Sequence, residues 1–381
     1  VGDIIDVVAY GAFVLADHYT KAEDDAMLAL KSNQATTYTK TEDDIMLALK
    51  ANLNSPALVN PTINGVAQSG YTGFKNYIIN GGFDIWQRGN NIPVGGAPTY
   101  TADRWLVAVD TSSNVYRGGG TNENGSVAIN ATTTIGYGYV KHRIESANSK
   151  SLVGKDATLS LGLYSTSSLG FTVRINIPDG VDTYTTITQH GSQFNYTHTG
   201  SNNWENIEVP LSSLPYSAAN GIEIMIEFSN VPLNGVVAIT SAQLEEGSVA
   251  TPFEQRPIGL ELSLCQRYYE KSYPYAIKPG TASTQGSVYM GGVVDNTGSG
   301  LLPIRFKVEK RAWNSSGFLS YSENGSAGGF NWWSATLGNT KTVPNTNYMG
   351  TAGGMLWRAS TANPFAGFVV NGQWTYDCEI Y

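Results

Sequence analysis

The chain has 381 residues and a net charge of −8, and its Lys and Arg residues are scattered along the sequence. Nucleic acid is therefore not an expected partner, and insertion into a membrane is not expected because no run of about 18 apolar residues occurs. With 42 Gly and 22 Tyr but only 14% charged residues, the composition favours a mainly β protein that forms two or three domains.

The first predicted elements are two copies of one helical unit, Tyr19–Lys31 and Tyr38–Lys50. In the first copy Thr20 stands three residues before Glu23, which is the spacing of a capping box at a helix start. A helix of about three turns is marginal in water by itself. The apolar residues of the two copies therefore need a partner: Ala26, Met27, Leu30, Ile45, Met46 and Leu49.

Self-association of several chains is one way to bury these residues, and it predicts a short helical oligomeric shaft over residues 16–55. The alternative is that both helices fold back on the β domain of their own chain. Residues 1–15 precede the shaft as an extended segment that we expect to dock the protein to its carrier. Residues 56–73 are rich in Pro and Gly and have the composition of a linker.

Residues 74–256 alternate apolar and polar side chains with the period of a β-strand. Phe171, Val173, Ile175 and Ile177 share one strand face, with Thr172, Arg174 and Asn176 on the other. Ile222, Ile224, Ile226 and Phe228 form another apolar face, with Glu223, Met225 and Glu227 predicted outside. The pattern predicts an antiparallel, jelly-roll-like sandwich of about eight strands.

A second β-rich domain is predicted for residues 257–381. Pro257–Lys271 has the pattern of one short joining helix, and Ile304, Phe306 and Val308 then alternate with charged residues. We expect this domain to form the distal tip. Cys265 and Cys378 have neither metal nor redox spacing, so buried free thiols are favoured over a disulfide.

Catalytic constellations are missing from the sequence, since it holds no nucleophile elbow, phosphate-binding loop or HExxH motif. A glycan depolymerase would need two carboxyl groups about 5 to 9.5 Å apart. Glu223 and Glu227 would lie about 13 Å apart along one strand. Asp84, Asp103, Glu245 and Glu246 are further candidates only if the fold brings them together, and Asp103 beside Arg104 is more simply an ion pair or turn cap. We therefore do not expect an enzyme.

Exposed aromatic rings that stack on sugars are the stronger candidates for function. Trp86 and Trp105 are predicted to be core residues. Trp204 has the opposite strand parity to its apolar neighbours, so it is either displaced by a bulge or exposed. Adjacent Trp332 and Trp333 would point to opposite sides of a strand. Tyr348 and Trp357, predicted in neighbouring loops, would complete a glycan-binding patch, although packing within the tip is the alternative for all four.

Several ordered motifs carry a resemblance to a known family. Asn76–Gly89 reads NYIINGGFDIWQRG, Tyr100–Trp105 reads YTADRW, and AQLEEG and PFEQR follow at Ala242–Gly247 and Pro252–Arg256. These motifs resemble the carbohydrate-binding-module-like sandwich of bacteriophage tail fibre and receptor-binding proteins, and the likeness extends over residues 76 to 381.

The resemblance implies a homotrimer in the virion, attached to phage tail or baseplate proteins through its N-terminus. It also implies a structural calcium ion held by Asp84, Glu245 and the backbone of residues 80–82, with ordinary turn hydrogen bonding as the favoured alternative; no other cofactor is expected. The function implied is non-enzymatic attachment to host surface polysaccharide. A structural spacer or collar fibre and a glycan depolymerase are the alternatives.

Overall fold

The computed structural model describes Gly2 and residues 20–32, 62–63, 66–67, 74–120, 125–292, 300–334, 338–342, 345–358 and 368–381. The chain forms two compact units, residues 1–70 and residues 71–381. Among the described residues, no helix combines the length and the apolar character that a membrane span requires. The second helical repeat and nearly all of the predicted docking segment lie outside the described residues.

The first unit contains helix α1, Lys21–Ser32, which confirms the first predicted helix. Its start has the predicted capping box, because the backbone N–H of Thr20 donates to Glu23 Oε2 over 2.8 Å and the N–H of Glu23 donates to Thr20 Oγ1 over 3.3 Å. Met27, Leu28 and Leu30 are 43%, 71% and 70% exposed in the single chain. Strands β1 (Thr62–Ile63) and β2 (Val66–Ala67) pair antiparallel in the predicted linker.

The second unit begins with an antiparallel sandwich, as predicted. Its described strands form two six-stranded sheets rather than about eight strands in total. The strands are β3 Asn91–Val94, β4 Thr99–Tyr100, β5 Trp105–Val109, β6 Ser113–Gly119, β7 Gly125–Asn130, β8 Ile135–Ile144, β9 Ala157–Ser165, β10 Leu169–Gly180, β11 Thr183–His198, β12 Glu205–Leu211, β13 Ile222–Val231 and β14 Val236–Glu246. The front sheet has the order β11-β10-β13-β8-β5-β4 and the back sheet the order β12-β9-β14-β7-β6-β3.

The core lies between these two sheets, where the predicted apolar faces meet. Ile222, Ile224 and Ile226 of β13 are fully buried, as are Leu159 and Leu163 of β9. A short helix, α2 (Ser146–Ser149), and two 3-10 helices, Lys150–Leu152 and Tyr216–Asn220, connect strands at one end. Period-two alternation therefore predicted the inward residues correctly.

The opening motif of the sandwich is a structural turn centred on Asn80. This residue has φ 59°, its Nδ2 donates to the carbonyls of Ile85 and Asp103 over 2.9 Å each, and its own carbonyl accepts from Trp105 Nε1 over 2.9 Å. A Cβ on Gly81 would come within 2.1 Å of the carbonyl oxygen of Ala242. Trp105 is fully buried and Trp86 nearly so, which confirms both as core residues.

The C-terminal region begins with helix α3, Ile258–Gln266, which confirms the predicted joining helix. Its strands are β15 Tyr269–Lys271, β16 Val288–Gly292, β17 Gly300–Arg305, β18 Phe318–Tyr321, β19 Phe330–Ser334, β20 Gly338–Thr342, β21 Asn345–Gly350, β22 Gly353–Arg358 and β23 Phe368–Asp377, with a 3-10 helix at Ser315–Gly317. Strand β23 is central and pairs with β15, β16, β18 and β19, while β17, β22 and β21 form a separate antiparallel sheet. Cys265 and Cys378 are buried free thiols, as predicted.

The last residues, Asp377–Tyr381, return to the sandwich, and we call them the C-terminal segment. Buried Glu379 forms an ion pair with buried Arg104, and the carbonyl of Ile380 accepts hydrogen bonds from Tyr100 and Arg143 over 2.6 and 2.8 Å. The sandwich and the C-terminal region thus belong to one compact unit. The boundary at residue 257 and the distal position of the C-terminal region stay predictions.

Of the two alternatives for Asp103, an ion pair with Arg104 or a turn cap, the structure does not form the ion pair with Arg104. Asp103 Oδ1 lies 3.0 Å from Arg88 Nη1, and Arg104 pairs with Glu379 instead. Arg104 has φ 74°, so the chain turns between the two neighbours and their side chains find different partners. A partner that comes from the end of the chain is not visible in local sequence.

Candidate functional site

Outward side chains from four adjacent strands come together on the outer surface of the front sheet, which we call the front face. Strand β13 lies between β8 and β10, and Glu227 is the register partner of both Tyr139 and Thr172. Met225 is likewise opposite both Lys141 and Arg174. Residues that are far apart in the sequence thus form one continuous surface.

The open half of the front face is a chain of hydrogen-bonded polar side chains. Tyr137 Oη donates to Glu227 Oε1 over 2.6 Å, and Arg174 Nε donates to Glu227 Oε2 over 2.5 Å. Arg174 Nη1 also donates to Gln189 Oε1 over 2.8 Å. Each side chain is therefore held by its neighbour before any ligand arrives, which lowers the entropy lost on binding.

Two tyrosine rings border this chain. Tyr137 is 43% exposed and Tyr139 is half-buried, with their ring centroids 6.2 Å apart. Burial, followed by the hydrogen bond to Glu227, raises the pKa of Tyr137, and burial also raises the pKa of Tyr139. Both phenols are therefore neutral at pH 7, so they offer hydroxyl groups and apolar ring faces together.

The closed half of the front face surrounds Glu223. This residue was predicted outside, but its side chain is fully buried. Arg143 Nε donates to Glu223 Oε2 over 2.8 Å, while Lys141 Nζ and Asn176 Nδ2 each lie 3.1 Å from Oε1. The prediction was wrong about exposure because these three side chains and the C-terminal segment, which bonds to Arg143, cover an outward position.

The tip aromatics lie on strands in the C-terminal region. Trp332 and Trp333 belong to β19, and Trp332 is opposite Val370 of β23. Tyr348 and Trp357 were predicted in loops, but they lie on the paired strands β21 and β22, so that part of the prediction is wrong. Their backbone is described and their side chains are not, so the proposed glycan-binding patch stays a prediction.

Trp204 precedes strand β12 on the other side of the sandwich, away from the front face. It is half-buried, and its ring centroid lies 5.4 Å from that of Tyr164 on β9. The structure therefore does not bring Trp204 together with the tip aromatics into one patch, since Trp204 belongs to the sandwich and the other four to the C-terminal strands.

The two predicted calcium ligands each have other partners. Asp84 Oδ1 lies 3.4 Å from Arg117 Nη2, and Asp84 Oδ2 accepts from Gln255 over 3.2 Å. Glu245 accepts from the N–H and the hydroxyl of Thr251 over 2.7 and 2.6 Å. Within the described ranges, no three His, Cys, Asp or Glu side chains are grouped as a metal site would need. Both carboxylates thus have protein partners, and the calcium ion stays a prediction.

Sequence reasoning missed the open half as a site although it placed some of its residues correctly. Arg174 and Glu227 were both predicted to point outward from their strands. The missing information was strand order, because only the β8-β13-β10-β11 adjacency brings Tyr137 and Gln189 beside them. The repeated tyrosines of Ile135–Ile144, at alternate positions, were the available signal for an aromatic outward face.

No protein-family model matches the chain, and no curated protein matches it either. Among solved structures, the chain is similar to the module TmCBM61 in complex with beta-1,4-galactotriose, at 13% identity and a TM-score of 0.32, over 46% of this chain and 100% of that chain. It is also similar to a CBM4 structure, at 15% identity and a TM-score of 0.30, over 45% of this chain and 99% of that one.

A third similar structure is the enzymatically active domain of tailspike protein 4 from bacteriophage CBA120. The identity is 13% and the TM-score 0.30, over 38% of this chain and 19% of that chain. With identities of 15% or less, the ligand of this chain has to be argued from its own residues.

Proposed function

We propose that this protein is a non-enzymatic carbohydrate-binding protein and that the open half of the front face binds surface polysaccharide. The observation that carries the proposal is the hydrogen-bonded chain Tyr137–Glu227–Arg174–Gln189 beside the rings of Tyr137 and Tyr139. Sugars require both apolar ring faces and planar polar groups that are already oriented.

The environment of the two glutamates supports binding rather than hydrolysis. Glu223 is held by Arg143 and Lys141, and Glu227 is held by Arg174 and accepts from Tyr137. A glycosidase needs two carboxyl groups that are free to reach the scissile bond. Both glutamates are instead engaged by side chains of the sheet.

We further propose that the chain is a phage tail fibre or receptor-binding protein that acts as a homotrimer in the virion and attaches it to host polysaccharide. The motif likeness over residues 76 to 381 and the exposed apolar side chains of α1 support this proposal. A single sugar site binds weakly, but three sites on one fibre raise the effective concentration of each for a polymer.

The test is affinity electrophoresis of the full chain through gels that contain bacterial surface polysaccharides or the neutral polymers galactan, xylan and β-glucan. We expect Tyr137→Ala and Arg174→Ala to weaken retardation by about tenfold each, because each loses a stacking or charge-assisted contact. Tyr216→Ala removes a ring that is 87% exposed on the 3-10 helix at Tyr216–Asn220 and serves as the control. Unchanged retardation of both face variants would refute the site.

The same protein and polymers distinguish the proposed function from the two alternatives, a spacer fibre and a depolymerase. A spacer fibre would not be retarded by any polymer and would not bind host cells. A depolymerase would release reducing ends on prolonged incubation with a polymer that retards it, and Glu227→Gln would abolish the release. Retardation without any release supports the proposal.

A further inference from the structure

The outward surface of the back sheet carries an aromatic trough that the proposed function does not use. Asn91, Tyr116, Ala128, Ala238 and Tyr164 are successive register partners across β3, β6, β7, β14 and β9. This row therefore crosses the sheet perpendicular to its strands. We call it, together with Trp204, the back trough.

The floor and walls of the back trough differ in size. Ala128 and Ala238 are in the middle and only 3% exposed, while Tyr116 and Tyr164 on either side are half-buried. Three strand spacings separate the two tyrosines, which corresponds to about 14 Å between their backbones. Two half-buried rings thus flank two alanines whose methyl groups are almost completely covered.

Trp204 extends the wall beside Tyr164. A Cβ on Gly162 would meet Trp204 Cε3 at 3.6 Å, Asn206 Oδ1 at 3.3 Å and Thr240 Cγ2 at 2.8 Å. The indole therefore lies against the sheet over Gly162, at a position that no larger residue could share without moving a neighbour. Its ring is tilted 49° to that of Tyr164.

The polar groups around the trough are amides rather than charges. Asn202 Oδ1 accepts from Tyr164 Oη over 3.4 Å, Asn206 lies beside the indole, and Asn91 closes the far end of the row. The row itself contains no ionisable group apart from the tyrosine phenols. Such a surface fits a neutral ligand that has apolar C–H faces and many hydroxyl groups.

We propose that the back trough is a second binding site for neutral glycan chains, on the side of the sandwich opposite the front face. This inference rests on the proposed carbohydrate-binding function and adds a second surface to it. Because the two faces point away from each other, one chain would bind two separate polysaccharide strands. The protein would then link strands as well as adhere to them.

The experiment measures the retardation of the full chain by galactan, xylan and β-glucan in affinity gels. Trp204→Ala and Tyr164→Ala are compared with Tyr137→Ala on the front face and with Tyr216→Ala as the exposed-ring control. We expect a loss of about five- to tenfold in affinity for each trough variant and a further loss when Trp204→Ala is combined with Tyr137→Ala.

The outcomes separate the two sites. If only the trough variants lose affinity, the back trough is supported and the front face does not bind neutral polymers. If only Tyr137→Ala loses affinity, the back trough is refuted. A melting temperature unchanged from the wild type identifies variants that still fold, and Trp204→Phe is the replacement if Trp204→Ala does not. Failure of all three neutral polymers to retard the wild type would overturn the back trough, while retardation by a charged bacterial polysaccharide would leave the front face standing.

Discussion

Asp103 lies at the centre of the buried polar contacts between the sandwich and the C-terminal segment. Its Oδ2 accepts from the N–H of Gln87 over 3.1 Å, and Arg88 joins it to Asp377, with 3.0 Å to each carboxylate. Burial raises the pKa of Asp103 to about 7, against the opposing effect of Arg88. A single carboxyl group is thereby poised to titrate in the neutral range.

The stability of the protein should therefore depend on pH through this residue. Its folded-state pKa lies above the unfolded value of about 3.9, so the stability that Asp103 contributes is complete below about pH 4 and is lost as the pH rises towards 7. Asp103→Asn cannot titrate. We expect the free energy of unfolding of the wild type to fall relative to the variant by at most about 1.4 kcal/mol per pH unit. Urea titrations of both proteins at pH 4, 5.5 and 7 check this, and parallel pH profiles would contradict it.

Trp86 and Trp105 of the opening motifs were predicted correctly. They lie within the motifs that carry the family resemblance, and both are buried core residues. The close approach of Ala242 in β14 to Gly81 is a long-range contact. The partners of Arg88 and Arg104 were not predictable, since Asp377 and Glu379 come from the other end of the chain.

At the level of elements, a fully buried ion pair helps to hold the C-terminal segment against the sandwich. Arg104 and Glu379 are fully buried at their side chains, and the Arg104 guanidinium also lies 3.6 Å from the ring centre of Tyr268. Removal of one member of such a pair leaves the other charge uncompensated in the interior. Breaking this pair should therefore lower the free energy of unfolding by more than breaking a surface ion pair would.

We expect Glu379→Gln to lower the free energy of unfolding by about 3 to 5 kcal/mol. The double variant Arg104→Met, Glu379→Gln should lower the free energy of unfolding by less than the sum of the two single variants, because it leaves no unpaired charge. Lys155→Gln is the matched control, since Lys155 pairs with Glu246 at 2.6 Å on the surface and should lose under about 1 kcal/mol. Additive losses in the double variant would argue against direct coupling.

Strand faces were predictable from the sequence, but strand neighbours were not. The alternation in β10 and β13 placed Arg174 and Glu227 outside their strands, and the structure agrees. The same alternation misjudged Glu223, because outward means solvent-exposed only where nothing lies above the sheet. Which side chains become neighbours, and which outward side chains stay exposed, depends on strand order and on the course of the C-terminal segment. Strand order and the course of that segment are both set by long-range contacts.

At the level of the whole molecule, the proposed homotrimer would depend on the apolar side chains of the first unit. Met27, Leu28 and Leu30 of α1 are exposed in the single chain, and the second repeat carries Met46 and Leu49 at matching positions. Short helices with apolar stripes become stable when they pack against one another. The proposed homotrimer supplies that packing.

Light scattering of the purified protein should give the mass of a trimer, about three times 40.9 kDa per chain. Leu30→Arg combined with Leu49→Arg should reduce this mass towards that of a monomer, because charges at an apolar seam oppose association. The melting temperature of residues 71–381, which form a separate compact unit, should stay the same. If the wild-type protein has the mass of a monomer, the predicted shaft and the proposed multivalent attachment are both contradicted.

The pairing of Arg104 with Glu379 also orders events during synthesis. Residues 74–256 leave the ribosome and can collapse well before Glu379 has been added to the chain. Until then Arg104 has a buried position without its carboxylate, so the nascent sandwich should remain loosely packed around that side chain. Only after Asp377–Tyr381 have been synthesised would the sandwich pack tightly around Arg104.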